Sequence, residues 1–283
     1  MNFSIILLNY NDSRYLINWL EKYNKSTVKT ELIVVDDCST DHSWRLLIYL
    51  QQKYPYMRLV RTPKNLGPFG AFMWGVHYAT NDYVSPWSAD DEMGTDYVAK
   101  MSQLIKDYPF CDIFTCNALV EKEDRHYRRE ALPFDSYISP DYLHKVAKTS
   151  GISAVNVIGN VVRKDHVIKC WEMGKPWVTH FDAFYLFTAA FKTGMIIAGE
   201  PLVLYRSNNK GFGNSRKRKD NLSSVRKMRN LFNRFGIEKY FDDLDLWSDK
   251  ATIKTEMIFR ILQVLPKWLR RRIYDRVYSR SFV

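Results

Sequence analysis

Two aspartate pairs, Asp36-Asp37 and Asp90-Asp91, each close a segment that begins as an apolar run. The first ends Glu31-Leu-Ile-Val-Val-Asp-Asp37, the second Asp82-Tyr-Val-Ser-Pro-Trp-Ser-Ala-Asp-Asp91. An unpartnered carboxylate is costly to bury. Two such pairs at strand ends imply a crevice that holds a cation and a polar ligand. With no Cys or His grouped near them, the carboxylates favour a hard ion, Mg²⁺ or Mn²⁺. Such ions leave positions for water and substrate phosphates, so a nucleoside diphosphate is the natural companion. The chain has no GxxxxGK[ST], and Gly67-Pro-Phe-Gly70 is not a GxGxxG. P-loop NTPases and dinucleotide oxidoreductases are therefore disfavoured.

The elements that must position these residues follow from the apolar pattern. Strands are predicted at Phe3–Leu8, Leu32–Val35, Arg58–Arg61 and Tyr83–Trp87. Helical spacing predicts helices over Arg14–Tyr23, around Trp44, Leu47 and Ile48, and over Ala71–Ala79, with Ser39-Thr-Asp41 capping the second. Asn65-Leu-Gly-Pro-Phe-Gly70 reads as a break. Alternating strands and helices mean a mainly parallel α/β sheet, whose ligands bind outside the carboxyl ends of the strands. Further on, Tyr97–Tyr108 reads as a helix, Asp112–Leu119 as a strand and 124–139 as a polar, aromatic loop region. Asp182–Phe191 reads as a helix, and Met195–Tyr205 as a strand region broken by Gly199 and Pro201.

The chain resembles the family-2 glycosyltransferases of the GT-A fold, in order and spacing over roughly residues 3–215. The resemblance is carried by Ser4-Ile-Ile-Leu-Leu-Asn-Tyr-Asn11, Val35-Asp-Asp-Cys-Ser-Thr-Asp41, Asn65-Leu-Gly67 with Ala71 and Gly75, Ser88-Ala-Asp-Asp91, Asp182 with Gly194, and Tyr205-Arg206. It implies a Rossmann-like, mainly parallel sheet flanked by helices, with a nucleotide-sugar half (1–92) and an acceptor half (93–215). It implies donor-nucleotide contacts from Asn9, Asp36, Asp37, Gly67 and Asp90, with Asp37 at the base and Asp36 supporting the pocket. Asp90 and Asp91 would hold Mn²⁺ or Mg²⁺. Asp182 would act as general base in an inverting transfer from a nucleotide-diphospho-sugar to a glycan or lipid-linked glycan, as in bacterial surface-polysaccharide synthesis. Cys38 replaces the family's usual Gly, a change a side chain tolerates with φ below zero there. Without the resemblance, Asp36-Asp37 also suit a helix cap, Asp90-Asp91 a solvated loop, and Asp182 a helix N-terminal charge.

The net charge of +11 is unevenly placed. Residues 216–283 hold 18 Lys/Arg against 8 Asp/Glu, and the first 215 hold 24 against 23. This tail shows two amphipathic patches, one through Leu222, Val225, Met228, Leu231, Phe232 and Phe235, the other through Leu269, Ile273 and Val277. A basic helical extension with interfacial aromatics suits an anionic membrane surface. Packing against the body would suit the same apolar faces. The expectation is a cytoplasmic protein, peripheral at the inner face of the membrane, with no signal peptide and no nucleic acid partner. The rival readings are nucleic-acid binding through the tail and a glycosyltransferase-like scaffold without activity.

Overall fold

A computed structural model describes residues 2–122, 125–129, 132, 134–150, 159–174, 181–206, 233–237 and 240. Four apolar runs form adjacent parallel strands: β1 (Ser4–Asn9), β2 (Glu31–Asp36), β3 (Met57–Arg61) and β4 (Tyr83–Ser88). The interiors of β1 and β2 are continuously apolar because both sheet faces are covered there, as in doubly wound folds, while the edge strand β3 leaves Arg58 and Arg61 exposed. The helices between them are α1 (Ser13–Asn24), α2 (Ser43–Lys53) and α3 (Gly67–Tyr78). Beyond them come β5 (Glu92–Met93), α4 (Tyr97–Asp107), β6 (Ile113–Lys122), β7 (Arg125–Arg129), β8 (Ser136–Ile138), α5 (Pro140–Ser150), β9 (Val161–Arg163), α6 (Lys164–Gly174), α7 (Phe181–Thr193) and β10 (Met195–Arg206).

The sheet runs β3-β2-β1-β4-β9-β6-β10-β5, with β7 on β6 and β8 on β10. β6 and β10 are mutually parallel, while β9 is antiparallel to both β4 and β6. Alternate residues feed two cores. Ile6, Ile33, Val35, Val84 and Ile197 face α3, α5, α6 and α7. Ile5, Leu7, Leu32, Val34 and Ile196 face α1, α2 and α4. Gly75 lets α3 lie close on the sheet, since a Cβ there would stand 2.4 Å from Ile6 Cγ2.

Three local expectations are corrected. β7 and β8 lie inside the segment read as loop. α3 begins at Gly67, four residues earlier than predicted, because Pro68 occupies its first turn, where a missing N–H costs nothing. β10 continues through Gly199 and Pro201, absorbing them as register shifts against β6.

The basic extension lies outside the described residues except at 233–237 and 240. There Ile237 and Tyr240 are buried with α7, and Tyr240 Oη donates to Asp141 at 2.8 Å. Phe235 packs on Phe184 and His166. No helix among the described residues is long and apolar enough to cross a membrane.

Candidate active site

The carboxyl ends of β2, β1 and β4 form one rim. Register sets Asn9 beside Asp36 and Leu8 beside Ser88. At about 4.8 Å per strand, the ends of β2 and β4 stand about 10 Å apart. That is the span of an extended ligand rather than of a single ion.

At the β2 end, Asp36 is fully buried. Its Oδ1 accepts from Asn9 Nδ2 at 2.9 Å, and its Oδ2 accepts the Ser39 N–H at 3.2 Å and pairs with Arg61 Nε at 3.1 Å. Arg61 lies over the Trp44 ring and donates Nη2 to the Ser39 carbonyl. Asn9 Nδ2 also donates to Ser39 Oγ at 3.1 Å. The Asp36 and Asn9 side chains are thus committed to bracing the turn.

Asn11 stands in the left-handed region (φ 56°), and its Oδ1 accepts the N–H groups of Thr40 and Asp41. Cys38 is left-handed too (φ 58°), against the negative φ that would suit a side chain, in a turn where the next residue's N–H is held by Asp36 Oδ2. The N-cap of α2 is His42, without a side-chain capping bond, and the predicted Asp41 lies one residue before it, its Oδ1 accepting the Ser43 N–H at 2.9 Å.

Asp37 is only 4% exposed. Its N–H donates to the Asn9 carbonyl, and its Oδ1 accepts both Thr62 Oγ1 and the Leu66 N–H, each at 2.8 Å. Leu66 leads into Gly67, whose φ of 73° excludes ordinary side chains and whose missing Cβ would face open space. Backbone is therefore accessible beside Asp37.

At the β4 end Ser88 is exposed, Asp90 half-buried and Asp91 buried. Burial, then the neighbouring Asp90 charge, pushes the Asp91 carboxyl up to about 8. Asp12, at the end of β1, is also raised, by burial and then by Asp90. Arg206 closes this end. Its Nη1 donates to the Asp90 carbonyl at 3.0 Å, its Nε to Glu121 at 3.0 Å and its Nη2 to Glu92, while its backbone N–H reaches Asp91 Oδ1 at 3.4 Å. Glu92 is also paired with Lys22 of α1.

Asp182 is half-buried in the first turn of α7, where its Oδ1 accepts the Ala183 N–H. Phe181 stacks edge-on against Phe69, and Tyr185 lies against Phe72. The start of α7 thus packs on the start of α3, next to the Leu66–Gly67 backbone that Asp37 holds. Asp12, Glu92, Thr62 and Arg61 were not singled out from the sequence, and Arg206 was noted without a role. Asp12 was findable, lying three residues past Asn9 on the same rim.

Among the described residues no three Asp, Glu, His or Cys side chains form a cage for a metal ion. Neighbouring carboxylates, with Asp91 and Asp12 raised partly by the Asp90 charge, still fit a hard cation that completes its shell with water and phosphate.

Residues 4–171 match the family model Glycosyl transferase family 2. The chain belongs to that family. Over 120 residues this family-2 chain is 32% identical to an uncharacterized glycosyltransferase of Haemophilus influenzae, covering 39% of this chain and 48% of that protein. The chain thus spans about half the length of that relative. Its fold is shared with S. aureus TarS, solved with UDP-GlcNAc (TM-score 0.65, 16% identity, 90% of this chain and 72% of that one). It is also shared with the mannosyltransferase PcManGT of Pyrobaculum calidifontis, solved with GDP-Man and Mn²⁺ (TM-score 0.57, 15% identity, 100% and 81%).

Proposed function

We propose that this family-2 member is a metal-dependent, inverting glycosyltransferase that moves a sugar from a nucleotide-diphospho-sugar to a hydroxyl of a glycan or lipid-linked glycan. The observation that carries the reading is the polarity of the rim. Asp37 stands at one end, the Asp12–Asp90–Asp91 carboxylates at the other, and Asp182 lies in the first turn of α7, whose start packs on the start of α3.

Asp37 and the Gly67 backbone receive the nucleoside, while Asn9 and Asp36 hold the turn beneath it. Asp90 and Asp91 would hold Mn²⁺ or Mg²⁺, which when bound would neutralise the leaving diphosphate. Arg206 fixes the backbone that presents both. Asp182 takes the proton of the acceptor hydroxyl as that oxygen attacks the anomeric carbon from the face opposite the diphosphate. Fixing donor and acceptor in line supplies much of the remaining acceleration.

Residues 1–215 form the catalytic unit in this reading, and the basic extension meets an anionic membrane surface at the cytoplasmic face. TarS and PcManGT support the donor class, and one was solved with a uridine and the other with a guanosine sugar. The fold therefore does not dictate the base.

A thermal-shift panel of nucleotide sugars, with and without Mn²⁺, tests the reading. A rise in melting temperature with at least one nucleotide sugar, larger with Mn²⁺, supports it. No rise with any donor counts against it. The anomeric configuration of the transferred sugar, read by NMR, tests inversion.

A further inference from the structure

We infer that Phe235 and Tyr240 of the C-terminal extension are positioning residues for the turn of α7 that carries Asp182. What that turn does in transfer rests on the reading above. Both residues lie beyond residue 171, where the match to the family model ends. Helix α7 presents two neighbouring aromatic stripes. Phe181 and Tyr185 lie on Phe69 and Phe72 of α3. Phe184 and Phe191, two turns apart, are covered instead by Phe235 and Tyr240, with ring centroids 6.0 and 5.2 Å apart respectively. Ile237, between these two in sequence, is buried in the same core.

This strap is held by groups on two further helices. Tyr240 Oη donates to Asp141 at 2.8 Å and its ring meets His144 edge-on, both on α5. Phe235 lies 5.6 Å from the His166 ring, with Lys169 Nζ over its face at 5.2 Å, both on α6. His166 Nε2 in turn stands 3.1 Å from the Tyr185 carbonyl, and Tyr185 rests on Phe72. A continuous set of contacts therefore runs from Phe235 through His166 and Tyr185 to α3, the helix that follows the backbone held by Asp37. Without the strap Phe184 and Phe191, now 0% and 1% exposed, would face water, and α7 would keep only its contacts to α3, its neighbouring helices and the sheet. The basic extension thus reaches the turn of Asp182 through two rings.

Hydrogen exchange of the full chain, read by mass spectrometry, tests this. The amides of Tyr185, Leu186 and Phe187 close helical bonds onto Phe181, Asp182 and Ala183. In Phe235→Ala they should exchange at least about tenfold faster than in wild type, the worth of covering one aromatic side chain, with β1 to β4 unchanged. Phe235→Tyr keeps the ring and should keep the wild-type rate. Unchanged exchange in α7, or an equal rise throughout β1 to β4, would overturn the inference. In the transfer assay that reads Asp182→Asn, Phe235→Ala should lower kcat at least about tenfold and leave the donor KM within about twofold. An unchanged kcat with a loosened α7 would also overturn it. If Phe235→Ala does not fold, Tyr240→Phe, which removes only the hydroxyl held by Asp141, is judged by the same outcomes. A fully active Asp182→Asn enzyme with α7 still loosened in Phe235→Ala would remove the acceptor reading and leave the strap standing.

Discussion

Arg206 donates Nη1 to the backbone carbonyl of Asp90 at 3.0 Å, although the two residues are 116 positions apart. The last residue of β10 thereby grips the loop that presents the acidic pair. The same guanidinium holds Glu92 and Glu121, and Glu92 in turn holds Lys22. The β4 loop, the β6–β10 ladder and α1 are fastened through one planar, multidentate side chain, a task that suits arginine and not lysine.

Arg206→Met should therefore cost about 2 kcal/mol in urea unfolding, because it leaves Glu92 and Glu121 without their shared cation. Arg206→Lys should recover less than half of that loss, since an ammonium cannot span the same acceptors. Full recovery by lysine would show that charge alone matters here.

Cys38→Gly should stabilise the fold. The left-handed conformation costs a side-chain-bearing residue about 1–2 kcal/mol, partly offset by the added freedom of glycine when unfolded. A net gain of about 0.5–1 kcal/mol is expected from the shift in urea midpoint. A loss would mean that the Cys38 side chain makes a compensating contact.

His166 makes stability depend on pH. Burial holds its imidazole down at about 4, below its unfolded value of 6.5, with Asp112 opposing and Lys192 and Lys169 assisting. Nε2 lies 3.1 Å from the Tyr185 carbonyl and 2.8 Å from Thr188 Oγ1. Between those two values the unfolded chain binds the extra proton, so this contribution is complete above about 6.5 and is lost as pH falls toward 4. The loss amounts to up to about 3 kcal/mol. Melting temperatures from pH 7 to 4 should fall more steeply for the wild type than for His166→Gln, and parallel curves would refute the assignment.

Asp182→Asn should lower kcat by about 10²–10⁴-fold, the usual worth of a positioned general base. Nucleoside diphosphate affinity should stay within about twofold, because the proposed role of Asp182 is toward the acceptor hydroxyl and not the nucleotide. A variant that kept kcat but lost donor binding would move Asp182 to the other side of the site.

The first half of the fold was legible because β1, β2 and most of β4 are buried and read as apolar runs, and because helices alternate with them at regular intervals. Their ends were legible because carboxylates are conspicuous there. β7 was not, since Arg125-His-Tyr-Arg-Arg129 pairs through its backbone with β6 and carries no apolar alternation. α5 and α6 escaped notice because short apolar sets, such as Tyr142, Leu143 and Val146, are diluted by charge. The roles of Arg206 and Thr62 depend on contacts across the sheet, which local pattern does not encode. The positive φ of Cys38 was hidden because a residue's identity reports what it prefers, and the hydrogen-bonded turn overrode that preference.

The central claim is that Asp90 and a divalent cation together hold the diphosphate of a nucleotide donor. Calorimetric titration of UDP into wild type and Asp90→Asn, each with Mn²⁺ and with EDTA, tests it most directly. The account predicts binding by the wild type with Mn²⁺, at least about tenfold weaker binding with EDTA, and no Mn²⁺ enhancement in the folded variant. Equal affinity in all four titrations would contradict it.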